Sequence, residues 1–177
     1  MLGFSFERSG EYFDAAVNYR RLVDIAAGSD EGRLRLAINL IRTGRAVGGV
    51  EHLRRLIRGP ARPWIQEIAA QELVRYLIER GEMGEAERAA RQALVRLPED
   101  QRIHILLAAI LEQSNRHGQA IEQVLELPPA SRGVSPRARY GEWPALGPSA
   151  SQVTLNSLAG EALPVLQSAL ADGGGAR

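Results

Sequence analysis

The chain has 177 residues, 45% of them hydrophobic and 24% charged, with a net charge of +1 at pH 7; this balance fits one folded domain with or without a tail and excludes wholesale disorder. Cysteine is absent and all 22 basic residues are arginine, which removes disulfides, thiolate nucleophiles, thiolate-held metals, lysine Schiff bases and a phosphate-loop lysine. The near-neutral total makes the molecule as a whole no magnet for nucleic acid or anionic membrane.

Met1 to Arg8 shows no basic start followed by an apolar run, so it does not read as a secretory signal. No stretch approaches the roughly 18 uncharged apolar residues of a membrane helix. Leu106 to Leu111 is apolar but short, and reads as a buried helix segment. The expected location is cytoplasmic, or periplasmic if the chain is a processed fragment. Abundant Ala, Gly and Arg without Lys suggest a bacterial source.

Helices are predicted over 1–8, 11–27, 30–43, 46–58, 63–80, 83–97, 99–114 and 117–127. Ser29 or Asp30 suits the N-terminus of the third helix, with Asp30 and Glu31 favouring its positive end. Pro63 suits the first turn of the fifth, where no N–H is lost. Glu99 and Asp100 read as another helix start. Residues 59–63 should form a slightly longer corner.

The predicted helices repeat. Gly10, Gly44, Gly81 and Asn115 are spaced by 34, 37 and 34 residues, and each residue type reaches a left-handed backbone, so each can end a helix and start a turn. Eight residues before each stands Leu2, Leu36, Leu73 or Leu107; seven before, Gly3, Ala37, Val74 or Ala108; four before, Phe6, Leu40, Leu77 or Leu111; five after, Ala15, Gly49, Ala86 or Ala120. Large residues three to four apart share a helix face. The small residues let a second helix approach. One such pair cannot bury its apolar face alone, so pairs stack.

The period and the Leu–small–large–Gly–Ala order resemble the tetratricopeptide repeat (TPR). The third copy, Leu73, Val74, Leu77, Gly81, Ala86, Ala93, Leu94 and Pro98, matches best, with Ala90 departing where a bulky residue is usual. The first copy offers Leu2, Gly3, Phe6, Gly10, Ala15 and Tyr19; the second Leu36, Ala37, Leu40, Gly44, Gly49, Leu53 and Leu56; the fourth, looser, Leu107, Ala108, Leu111, Asn115, Ala120, Val124 and Leu127. The resemblance implies an all-α fold, a right-handed superhelical solenoid of antiparallel helix pairs over 1–29, 30–63, 67–100 and 101–127, closed by a C-terminal capping helix. Met1 cuts into the first copy, so the expectation is a short first helix or a piece of a longer chain.

From Pro128 to Ala150 the composition turns to Pro, Gly, Ser and Arg, a linker in which Tyr140 and Trp143 either pack on the last repeat or form a docking peptide. Residues 151–172 are amphipathic, with a break at Gly160 and Pro164, and read as a cap of the solenoid or a helix for another protein; 173–177 read as a disordered tail.

The resemblance also implies a partner-binding groove lined by the first helix of each pair. Its candidates are Leu34, Arg35, Ile38, Ile41 and Arg42 in the second copy, Ile68, Gln71, Glu72, Arg75, Ile78 and Glu79 in the third, and Arg102, Ile105 and Leu106 (with Ala109 and Glu112) in the fourth. Apolar residues interspersed with Arg and Glu suit a protein, peptide or helix partner. Packing of Ile38, Ile41 and Ile105 against neighbouring repeats is the other reading of those three. Relatives that hold chaperone C-termini use Lys and Asn where Leu34 and Ile38 stand, so that role is not expected. The function implied is a non-enzymatic interaction scaffold or adaptor. The alternatives are a structural subunit of an assembly, which includes self-association, and a regulatory module of an enzyme or of a secretion or pilus system. Residues 30–63 hold eight arginines against three acids, and residues 67–100 five against eight; RNA binding through the basic block ranks below these readings. His52, His104 and His117 show no metal-ligand spacing, and no nucleophile motif or phosphate-cradling loop is present. No catalytic residue, metal, cofactor or membrane insertion is expected.

Overall fold

The computed structural model describes residues 2–125. Among them lie eight helices and no strand: α1 (Leu2–Arg8), α2 (Tyr12–Ile25), α3 (Asp30–Arg42), α4 (Ala46–Arg58), α5 (Pro63–Glu79), α6 (Met83–Arg96), α7 (Gln101–Gln113) and α8 (His117–Leu125). The all-α architecture of helical hairpins is therefore observed. The linker, the capping helix and the tail expected beyond residue 127 lie outside the described residues.

Each first helix closes in the same way. Gly10, Gly44, Gly81 and Asn115 have φ of 78°, 78°, 72° and 57°. Their N–H groups donate to Glu7, Ile41, Ile78 and Glu112 carbonyls at 3.2, 3.1, 2.8 and 3.0 Å. The next residues, Glu11, Arg45, Glu82 and Arg116, donate to Phe6, Leu40, Leu77 and Leu111 at 2.9, 2.8, 2.9 and 2.9 Å. This pair of bonds satisfies carbonyls that the helix end would leave open, and it requires the left-handed residue. The following helix then starts at once: Ala15, Gly49, Ala86 and Ala120 donate to Glu11, Arg45, Glu82 and Arg116.

The other boundaries follow local chemistry. Ser29 Oγ accepts the Gly32 N–H at 3.1 Å and caps α3. Asp100 Oδ1 accepts from Arg102 and Ile103, so α7 begins at Gln101 rather than at 99. Helix α2 ends at Ile25, two residues short of the expectation, because Ala26 leaves the helical region (ψ 75°) and the Ala27 carbonyl is taken by Arg33 Nη2 at 2.7 Å. The 59–63 corner is pinned by Gln66 Nε2, which donates to the Gly59 carbonyl at 2.8 Å.

The described residues divide into two compact units, with the boundary between Tyr76 and Leu77. In the first, α1 packs on α2, α2 on α3 and α3 on α4. Its core joins Ala15, Ala16, Tyr19, Leu36 and Leu40, with Phe6, Leu22 and Val23 against them. Small residues set the spacing here. A methyl on Gly3 would stand 3.1 Å from the Tyr19 ring, and one on Gly49 would stand 2.7 Å from both the Ala37 carbonyl and Ile41 Cγ1. In the second unit, α6 packs on α7 and α7 on α8. Helix α6 buries only alanines, Ala86, Ala90 and Ala93. Helix α7 buries Ile103, Leu106, Leu107, Ala108, Ala109, Ile110 and Leu111, covering nearly its whole circumference, as a central helix must.

Two glycines separate packing from propensity. Gly49→Ala will destabilise the chain by about 1–3 kcal/mol, because its methyl meets backbone as well as a side chain. Gly84→Ala, with nothing within 4 Å of the added carbon, will stabilise it by about 0.5–1 kcal/mol. Urea unfolding of both variants beside the wild type checks the opposite signs.

Candidate interaction surface

The first helices carry the expected interaction residues, and the structure sorts them by burial. In α3, Leu34, Arg35 and Ile38 are buried, while Ile41 and Arg42 are half-buried. In α5, Ile68, Gln71, Glu72, Arg75 and Ile78 are half-buried and Glu79 is exposed; Arg75 Nη2 donates to Glu72 Oε2. In α7, Leu106 is buried, Ile105 is half-buried and Arg102 is exposed. The residues of α3 and those of α5 up to Arg75 belong to the first unit, and the rest to the second.

Arg35 is the centre of a polar cluster that spacing along the chain does not reveal. Its Nη1 donates to Glu7 Oε2 at 2.6 Å. The same oxygen accepts the Tyr19 hydroxyl at 3.0 Å. Asn39 Nδ2 donates to Glu7 Oε1 at 2.5 Å and to the Arg35 carbonyl at 2.8 Å. Arg35 also lies over the Phe4 and Tyr19 rings, 5.6 and 5.9 Å from their centroids. The ion pair is 5% and 4% exposed at its two side chains, so it is far stronger per charge than the surface pairs of this protein. Burial pushes the Tyr19 hydroxyl well above the ordinary tyrosine range, against the lowering pull of Arg35. Glu7, Tyr19 and Asn39 were not singled out by the repeat pattern as a cluster; the only sequence cue is a carboxylate placed directly after the core residue Phe6.

Two further arginines rest on rings. Arg42 lies 4.8 Å above the Tyr12 ring and Arg45 lies 4.8 Å above the Phe13 ring. Elsewhere arginines find acids. Glu87 takes Arg91 at 3.0 Å and Arg116 at 2.7 Å. Burial raises the Glu87 carboxyl, but the hydrogen bonds from Arg91 and Arg116 outweigh it and hold the group below its usual range. This carboxylate therefore ties α6 to the α7–α8 turn, rather than serving a solvent face alone. Arg88 pairs with Glu85 on the exposed side.

The histidines do not converge. His104 is buried, with Nε2 donating to the Pro98 carbonyl at 2.8 Å and Nδ1 facing Gln123 Oε1 at 3.3 Å. His117 Nδ1 meets Glu112 at 2.9 Å. His52 sits in α4, and its buried Nδ1 has no hydrogen-bond partner among the described residues. Burial, with Arg20, Arg33 and Arg55 adding repulsion, holds it below 6.5. Among the described residues no group of three His, Asp or Glu could hold a metal ion. No helix of the described residues is long and apolar enough to cross a membrane.

A family model described as tetratricopeptide repeat matches residues 77–140. The hairpins of residues 2–58 close with the same left-handed residue and the same two hydrogen bonds as those within the matched stretch. The tetratricopeptide match is thus confined to residues 77–140, and the earlier hairpins share its turn geometry. The chain is similar in fold to a solved structure of MamA from AMB-1, at a TM-score of 0.54 and 20% identity, over 99% of this chain and 90% of that one. The search of curated proteins found no match.

Two predictions concern the first unit, residues 1–76. Arg35→Ala will cost about 3–5 kcal/mol of stability, since it strands the buried Glu7 carboxylate; replacing Glu7 by Gln in the same chain, which removes the charge and keeps an acceptor for Tyr19, will recover part of that loss, as read by urea unfolding. His52 makes stability pH-dependent. The unfolded chain protonates this ring at about 6.5, while the folded chain resists the proton. Below that pH the unfolded state holds more protons and stability falls with acidification; above it His52 contributes no slope. The urea midpoint of His52→Gln will therefore fall less than that of the wild type between about pH 7.5 and about pH 5.5.

Proposed function

We propose that the chain is a non-enzymatic interaction scaffold that holds a peptide, helix or subunit on the first helices of its repeats. Two observations carry this reading, one in each unit: in the first, Ile41 and Ile68 are half-buried on helices that also carry half-buried Arg42, Gln71, Glu72 and Arg75, and in the second, Ile78 and Ile105 are half-buried. Half-buried isoleucines on a helix otherwise used for packing retain apolar area that a partner removes from water. The neighbouring guanidinium and carboxylate groups fix register by charge-assisted hydrogen bonds. Tetratricopeptide repeats are protein-interaction modules, and extended binding faces are what stacked repeats supply. Residues 128–150 are read as a linker and 151–172 as a cap of the solenoid or a helix for another protein.

Affinity capture with quantitative mass spectrometry from the source cell tests the reading. The wild-type chain will enrich a defined set of proteins, and Ile68→Glu with Ile105→Glu will lose them while the far-ultraviolet helix signal is kept. Retention by the double variant moves binding off the first helices. Failure of the wild type to enrich any protein over a scrambled-surface control overturns the scaffold.

A further inference from the structure

Arg42 and Arg45 differ from the solvated arginines of the first unit, such as Arg21 and Arg54. Rings hold both of them in place: Arg42 on Tyr12 and Arg45 on Phe13, each at 4.8 Å. Among the described residues no carboxylate lies within ion-pair distance of either. Glu11 and Asp14, the acids beside the two rings, are exposed and do not reach them. Arg42 Nε is buried without an acceptor. A guanidinium stacked by its face keeps its in-plane N–H edge for a planar anion. Its side-chain entropy is already spent, so a ligand that pairs with it loses less on binding.

The last hairpin is an internal control. Arg116 follows its turn residue as Arg45 follows Gly44. Arg116 is neutralised by Glu87 at 2.7 Å and also bonds Gln119. Glu87 stands six residues after the turn glycine Gly81; six residues after Gly10 stands Ala16, buried and without charge. One repeat position thus provides a carboxylate in one hairpin and a methyl group in the other. The arginine it would neutralise in the first unit stays open. Two exposed apolar side chains stand at one repeat position of these hairpins: Phe13, under Arg45, at 49% and Val47, two residues after Arg45 in the chain, at 90% exposure.

We propose that Arg42 and Arg45 recognise paired carboxylates on an acidic segment of a partner protein, with Phe13 and Val47 receiving an apolar side chain next to those acids. This rests on the interaction-scaffold reading and names the partner's chemistry. Arg42 belongs to the α3 row and Arg45 to the turn after it, so the acidic segment is held at the α1–α2 and α3–α4 turns.

The test is fluorescence anisotropy with a labelled eight-residue peptide carrying two adjacent aspartates followed by leucine, and with the same peptide carrying asparagines instead. The full-length chain will bind the acidic peptide about tenfold more tightly than the amide peptide. Arg42→Gln with Arg45→Gln will abolish that difference, and Arg45→Lys, which keeps the charge and loses the fork, will lose most of it. Arg21→Gln with Arg54→Gln removes the same net charge and will leave binding unchanged. Equal binding of the two peptides overturns the proposal. So does an equal loss in the Arg21 and Arg54 control, which marks diffuse charge attraction. The capture experiment separates the two claims: partners retained by a wild type that fails the peptide test leave the scaffold standing without this edge, and a wild type that captures nothing removes the scaffold.

Discussion

The hydrogen-bond pair that ends each first helix governs everything downstream of it. The Gly10 pair uses the Glu7 and Phe6 carbonyls, and the Gly81 pair uses Ile78 and Leu77. The residue whose carbonyl takes the longer-range bond is in each hairpin the large residue of the repeat, Phe6, Leu40, Leu77 or Leu111. Backbone capping and apolar packing are thereby locked to one position. A shift of the turn by one residue would move the carbonyl out of reach and rotate the large side chain by about 100° around the helix. The second helix inherits this phase, because its small residue bonds the carbonyl of the residue that closed the first. The chain reversal and the close approach of the two helices are thus one constraint.

Within that constraint the hairpins distribute volume differently. The first places Tyr19 against Gly3, large on one helix and nothing on the other. The second places Gly49 against the α3 backbone, and its bulk comes from Leu53 and Leu56, both buried. The third buries Ala90 where the family usually has bulk, and the all-alanine face of α6 meets α7, whose Ile and Leu side chains fill the space. The tyrosine solution is the demanding one. A buried hydroxyl needs an acceptor, the acceptor is a carboxylate, and a buried carboxylate needs a cation and further donors. Tyr19 of α2 therefore draws Glu7 of α1 and Arg35 and Asn39 of α3 into the core.

What was legible in the sequence divides along the same line. Turns and caps were readable because Gly10, Gly44, Gly81, Asn115, Ser29 and Asp100 act on backbone groups within a few residues of themselves. The faces of α3 and α7 were partly readable: periodicity separates packed from unpacked positions, yet Ile38 and Leu106 are buried and Ile41 and Ile105 are half-buried at positions set aside for a partner. Arg35 was placed among surface residues because helical spacing counts faces and not partners. Its partner, Glu7, is 28 residues away. The same distance in sequence hid the Arg116–Glu87 pair, 29 residues apart. A block of eight arginines reads as one basic patch, but folding gives its members different fates. Arg35 is buried with Glu7, Arg33 holds a carbonyl, and Arg54 stays in water.

The absence of lysine makes those fates possible. An ammonium is a compact, strongly hydrated charge that sits over a ring only after losing water from most of its surface, whereas a guanidinium is weakly hydrated above and below its plane. Arg35, Arg42 and Arg45 of the second hairpin region lie over Phe4, Tyr19, Tyr12 and Phe13 of the first. The contact between these hairpins is therefore aromatic on one side and cationic on the other, in addition to the aliphatic contact of Leu36 and Leu40 with the α2 alanines. The contact of α6 with the last hairpin is built from alanine, leucine, isoleucine and the Glu87 ion pairs. An aliphatic contact with its charges paired has no donor left over. A ring–guanidinium contact occupies the face of the cation and leaves its edge to other groups: Arg35 gives its edge to Glu7, whereas Arg42 and Arg45 have no carboxylate within ion-pair distance among the described residues.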